Sequence, residues 1–142
     1  MSWRICESAV LAVALVTSSA VATARMPLPQ QEPDAKELKN PVPTTPEALA
    51  AGGQRYTRLC AVCHGATGNG DGKLAAATAA YGRRPSNLTD DVWDRGSSDG
   101  EIFVVIRDGI EPDFNMPGFK GRLSDAEIWR VVLYVRSLGV RK

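Results

Sequence analysis

The sequence predicts an all-α fold, and three observations carry that prediction. Thr45 followed by Pro46, Ser98 with Glu101 three residues on, and Ser124 with Glu127 are helix-start patterns, each opening a segment with apolar residues at helical spacing. Gly109 and Gly139 stand where two of those segments should stop. No segment alternates apolar and polar residues at period two, as a half-buried strand would.

The first helix begins at the Thr45 cap. It carries Leu49, Tyr56 and Leu59 on related faces and ends near Cys60. Asn69-Gly70 and Asp71-Gly72 are turn dipeptides and mark a loop. Alanine-rich LAAATAAY, 74–81, predicts a short helix, and RRPSNL, 83–88, is turn-like. From Ser98 a second capped helix should bury Ile102, Val105 and Ile106 and stop at Gly109. Residues 110–122 form a loop holding two prolines. In the last helix Leu123 and Ile128 can form a hydrophobic staple, and Ile128, Val131, Val132, Val135 and Leu138 supply the apolar face.

Ahead of this domain, 45–142, the chain changes character twice. Residues 1–24 read as a secretory signal peptide: Arg4 near the start, no charge from Ser8 to Ala24, an apolar LAVALV core and a small-x-small site at Ala22-Thr23-Ala24. A retained membrane anchor is the alternative, but the apolar stretch is short against the roughly 20 residues of a span. Cleavage removes Cys6, leaves Cys60 and Cys63, and places the mature chain in an exported, oxidising compartment. Residues 25–44 are a proline-rich tether, and the stretch through 46 holds six of the nine prolines. An ordered arm lying across the domain is the other reading of that segment.

Seventeen Lys and Arg stand against 16 Asp and Glu in 142 residues, which gives no electrostatic case for nucleic acid. A domain of this size has a small core and gains from a large apolar cofactor. The chemistry concentrates in CAVCH, 60–64. A structural zinc site needs four ligands, and no second Cys or His pair exists to complete one. A dithiol redox site usually sits beside a βαβ unit and leaves His64 without a role. Haem attachment accounts for all three residues: Cys60 and Cys63 as thioethers to the vinyl groups, His64 as an iron ligand. The glycines that follow have no preceding strand and no Gly-Lys-Ser or Gly-Lys-Thr ending, so they read as a turn leaving the haem edge, not as a phosphate loop.

His64 is the only histidine, so a sixth ligand must come from elsewhere, and only one haem can be served. Methionines stand at 1, 26 and 116, and Met116 alone lies in the folded domain. Pro117 restricts its backbone to extended conformations, which helps fix the thioether. A lone methionine is in general more often core filler, but the loop setting and the absence of a second histidine make Met116 the expected sixth, axial ligand to the iron. Met116 as a displaceable or purely structural residue would leave an open iron position, as in a haem enzyme or gas sensor.

With CAVCH, the late MPGF loop and a final EIWRVVLYVRSL helix in view, residues 45–142 resemble the class I c-type cytochromes. The resemblance implies a small all-α fold whose first and last helices cross beside one covalent haem c. Gly52, Gly53 and Tyr56 would meet Trp129, Leu133 and Tyr134 at that crossing. It implies that Pro85 offers its carbonyl to the other nitrogen of His64. Leu59, Leu88, Ile102, Ile106, Phe119 and Leu133 are the expected pocket lining, and Arg58, Lys73 and Lys120 the candidates for steering a partner. The implied function is single-electron transfer in the periplasm. The implied partners are a dehydrogenase or a terminal oxidase, and the membrane only if the N-terminal segment is retained.

Overall fold

A computed structural model describes residues 34–80, 84–110 and 116–139. The signal-peptide reading of 1–24, the tether as far as residue 33, and Asn115 beside Met116 lie outside the described residues. The described residues all belong to one compact unit within Glu32–Lys142. Among the described residues, five helices follow a 3-10 turn at Ala35–Glu37: α1 Pro46–Leu59, α2 Ala61–His64, α3 Ala75–Ala79, α4 Asp99–Asp108 and α5 Asp125–Gly139. There is no strand among the described residues.

The helix starts follow from the side chains that cap them. Thr45 Oγ1 accepts from Ala48 N at 3.1 Å with Pro46 at the first helical position, where its missing N–H costs nothing. Ser98 and Glu101 form a reciprocal capping box at α4. Ser124 and Glu127 do the same at α5, with Ser124 N donating to Glu127 Oε2 at 3.0 Å. Gly109 closes α4 at φ 83°, a left-handed conformation that suits glycine. Each cap satisfies backbone donors that would otherwise be orphaned and contributes about 1 kcal/mol.

The core is the face where α1 and α4 meet α5. Tyr56, Ile128, Val131 and Val132 are fully buried. Ile102 and Ile106 are buried as the periodicity predicts. Val105 is only half-buried, and Phe103 takes its place in the core. α1 crosses α5 at Gly52 and Gly53: a Cβ at Gly52 would overlap the Arg130 carbonyl, and one at Gly53 would stand 2.9 Å from the Tyr134 ring. The Tyr56 and Tyr134 rings meet there with centroids 5.1 Å apart. Trp129 corrects the expectation for this crossing. Its ring stacks on Phe103 of α4 at 4.1 Å and 13°, so it serves the α4–α5 contact, while Arg130 and Tyr134 face α1.

The described part of the proline-rich segment, 34–44, is the ordered arm and not a free tether. Leu38 and Val42 pack against the core, and Asn40 Nδ2 donates to the Trp129 carbonyl at 3.1 Å. Gly100 in the first turn of α4 lets the arm come close, because a Cβ there would strike the Ala35 carbonyl and Leu38. Prolines exclude a long helix here without excluding a packed extended chain, which is why composition alone read as a tether.

Candidate functional site

The site is built on the last turn of α1 and the single turn of α2. Cys60 N still donates to the Tyr56 carbonyl at 2.8 Å, and Cys63 N and His64 N both return to the Cys60 carbonyl, at 3.0 and 2.9 Å. This places two thiols and one imidazole on consecutive faces of one tight turn. The cysteines are free thiols. Burial, with a smaller contribution from the neighbouring Cys63, pushes the Cys60 thiol up to about 11. A thiol so placed stays protonated near neutral pH and is a poor metal ligand or redox nucleophile as it stands.

The glycine loop does more than lead the chain away. It folds back so that Gly70 N, Gly72 N and Leu74 N donate to the carbonyls of His64, Cys63 and Val62 at 2.8, 3.0 and 2.9 Å. Gly72 must be a glycine for this approach, since a Cβ would lie 2.6 Å from the Ala61 carbonyl oxygen. On the other side the buried Tyr56 hydroxyl donates to the Gly65 carbonyl at 2.8 Å, tying the end of the turn to α1. Burial first, then the nearby Cys60, Tyr134 and Asp71 charges, raises the Tyr56 pKa, so the hydroxyl keeps its proton as donor.

His64 is held by one bond. Its Nδ1 lies 3.1 Å from the Ser86 carbonyl, which can only accept, so Nδ1 carries the proton and the Nε2 lone pair is left for a ligand. Burial lowers the imidazole pKa, partly offset by the Ser86 bond, and favours the neutral ring that a metal requires. The carbonyl expected from Pro85 is therefore that of Ser86. Pro85 turns its own carbonyl toward Gly70, where a Cβ would be 2.5 Å away.

Met116 belongs to a second loop that caps the C-terminus of α4. Its carbonyl accepts from Ile110 N at 3.0 Å, and Phe119 N reaches the Ile106 and Arg107 carbonyls at 3.1 and 3.0 Å. The half-buried Met116 side chain packs against the same core cluster as Cys60, Leu59 and Leu88. Thus Cys60, Cys63, His64 and Ser86 converge on one turn, and Met116 approaches the shared core from α4. Of the expected pocket lining, Ile102, Ile106, Phe119 and Leu133 are buried, while Leu59 and Leu88 are half-buried. Arg58, Lys73 and Lys120 are exposed. Sequence reasoning missed Ser86, the Tyr56 hydroxyl and the backbone roles of Gly70 and Gly72. A serine after proline carries no signal of its own, but the glycine spacing was a visible sign of close backbone approach.

The donor set fits a covalently attached haem c: two thiols three residues apart, an adjacent imidazole with a free Nε2, and a neighbouring apolar core. Fold and site together define the class, that of a small monohaem c-type cytochrome of class I. Residues 47–135 match the family described as cytochrome C oxidase, cbb3-type, subunit III, and the chain belongs to that family. It is 35% identical over 99 residues to the cbb3-type cytochrome c oxidase subunit CcoP of Rhodobacter capsulatus, covering 66% of this chain and 30% of that protein. It is 29% identical over 115 residues to the quinohemoprotein alcohol dehydrogenase ADH IIB of Pseudomonas putida, covering 80% of this chain and 15% of that protein. Among solved structures it resembles a chain of the reducing HAO-like protein complex of Kuenenia stuttgartiensis, with TM-score 0.61, 28% identity, and 72% and 50% of the two chains covered. Cytochrome cL of Methylophaga aminisulfidivorans is also similar, with TM-score 0.52, 27% identity, and 66% and 55% covered. The chain thus spans under a third of the length of these curated relatives. Among the described residues no helix is long and apolar enough to cross a membrane.

Proposed function

We propose that this chain shuttles single electrons between exported oxidoreductases, with His64 and Met116 as the two axial iron ligands and Cys60 and Cys63 as the thioether anchors. The observation that carries the reading is the His64 Nδ1 bond to the Ser86 carbonyl at 3.1 Å, which fixes the tautomer and presents Nε2 as a ligand. When bound, the haem supplies one reversible electron at iron. The chain's residues do the rest. Ser86 orients the imidazole, the bonded loop behind CAVCH holds its backbone still, and Ile110 N with Pro117 restrains the Met116 backbone. Thioether ligation and apolar burial both favour the reduced state and raise the potential.

With His64 and Met116 both holding the iron, no substrate would reach it, and the chain would act as a carrier and not as an enzyme. Residues 1–24 direct export to the periplasm and 45–142 form the carrier domain, with the arm from residue 34 packed on it. Its relatives, a cbb3-type oxidase subunit and a quinohemoprotein alcohol dehydrogenase, support a terminal oxidase or a dehydrogenase as the class of partner. The test is a spectrum of the purified oxidised protein. The weak far-red band of iron–methionine sulfur ligation should be present. Its absence, or rapid carbon monoxide binding by the reduced protein at neutral pH, would favour an open-site haem protein instead.

A further inference from the structure

We propose that Asp94, acting through Ser86, is a positioning residue for His64 and holds the reduction potential of the site down. The inference rests on His64 ligation as proposed above. Ser86 uses its two oxygens in opposite directions. Its carbonyl accepts from His64 Nδ1 at 3.1 Å, and its hydroxyl donates to Asp94 Oδ2 at 3.0 Å. The neighbouring peptides are already committed: Pro85 points its carbonyl at Gly70, and Leu88 N donates to the Gly68 carbonyl at 2.7 Å. The hydroxyl is the one side-chain hold on Ser86 among the described residues.

Asp94 is exposed, but it does not hang on a loose loop. Trp93 beside it packs against the core and lies under the Arg136 guanidinium at 5.4 Å. Arg136 Nε in turn donates to Asp99 Oδ1 at 2.7 Å, and its guanidinium also bonds the Ser97 carbonyl. A chain of contacting groups therefore runs from Arg136 of α5 over Trp93 to its neighbour Asp94, and by hydrogen bonds through Ser86 to the imidazole. A carbonyl that accepts strongly from Nδ1 makes the ring a better electron donor, which favours oxidised iron. Without Asp94 the Ser86 peptide is free to tilt, the Nδ1 bond weakens, and the potential rises.

The test uses the haem-loaded protein and the variants Ser86→Ala, Asp94→Ala, Asp94→Asn and the double alanine variant. Ser86→Ala keeps both the carbonyl and the net charge, so any shift it causes is not a surface-charge effect. The expected result is a rise in potential of equal size in Ser86→Ala and Asp94→Ala, with no further rise in the double variant. Asp94→Asn, which keeps an acceptor oxygen, should restore most of the parental value. Asp90→Asn is the charge control: Asp90 bonds only Val92 N among the described residues, and any shift it causes should vanish in high salt. The His64 Nδ1–H proton resonance should move in the two alanine variants and stay put in Asp90→Asn. A parental potential and an unmoved resonance in Ser86→Ala overturn the proposal, as do shifts that sum in the double variant. A lower unfolding midpoint with unchanged potential would reduce the pair to a loop anchor and overturn it equally. The far-red band, recorded for every sample, separates the two readings. Its absence from the parent protein counts against His64–Met116 ligation, whereas its presence with an unmoved potential counts against Asp94 alone.

Discussion

Gly52 of α1 lies against the Arg130 carbonyl of α5 with no room for a side chain between them, and the Tyr134 Cβ is only 3.1 Å from where a Gly52 Cβ would be. Two helix backbones in such contact set the angle at which the whole core is assembled. Helix propensity alone would make Gly52→Ala stabilising by up to about 1 kcal/mol. The crossing reverses the sign, and a net loss of about 2 kcal/mol is expected from overpacking against backbone. Gly53→Ala meets only the Tyr134 ring, which can swing aside, and should lose less. Denaturant midpoints of the two variants check both the sign and the order.

Tyr56→Phe removes the hydroxyl that the Gly65 carbonyl accepts from inside the core. The ring and its contact with Tyr134 survive, so the cost is that of one orphaned buried acceptor, about 1–3 kcal/mol. Amide hydrogen exchange should rise over 60–65 in particular. A variant as stable as the parent would mean that the bond does not hold the turn.

Acid should loosen α5 at its start. Glu127 accepts from the Ser124 backbone and hydroxyl and pairs with Arg55, and these partners, in that order, lower its pKa to about 2. A depressed carboxylate stabilises the fold above its ordinary pKa of about 4.5 and loses that contribution as pH falls toward 2. Glu127→Gln should therefore flatten the pH dependence of unfolding between those values. Glu101, lowered in the same direction by Ser98, should do likewise at α4. A parental slope in Glu127→Gln contradicts the expectation.

Asn40→Ala should free the arm without touching the haem ligands. Asn40 bridges the Trp129 carbonyl at 3.1 Å and Val42 N at 2.9 Å. Its loss is expected to cost about 1 kcal/mol and to raise protease sensitivity near 34–42. Unchanged cleavage there would show that Leu38 and Val42 hold the arm unaided.

Met116→Ala tests the sixth position directly. It should abolish the far-red band, admit carbon monoxide to the reduced form, and lower the potential by on the order of 0.1 V, well inside the roughly 0.8 V that axial ligands span. Electrochemical titration of the variant supplies the check, and an unchanged potential rules out thioether ligation by Met116.

Most of the helical frame was legible because its signals are local. Ser98 with Glu101 and Ser124 with Glu127 announce their helices within four residues, and CAVCH announces its chemistry within five. What the sequence hid depends on partners far along the chain. Trp129 fits either neighbour of α5, and only the position of Phe103 decides between them. The arm looked free because proline content reports what a segment cannot form and is silent on what it packs against. Ser86 went unread in favour of Pro85 because which of two adjacent carbonyls faces His64 is settled by the close approach of Gly70, fifteen residues upstream of Pro85 on a different loop.

The amides of Gly70, Gly72 and Leu74 leave the backbone behind the two cysteines and the histidine with no unsatisfied carbonyls to reorient. A frame already fully bonded has little to rearrange when one unit of charge arrives or departs beside it. With haem bound as proposed, reorganisation energy, the part of the electron-transfer barrier that a protein controls, would then be low. The rate of exchange would be set by how near a partner comes and by the difference in potential, and the bonded loop behind the motif would help keep the crossing fast in both directions.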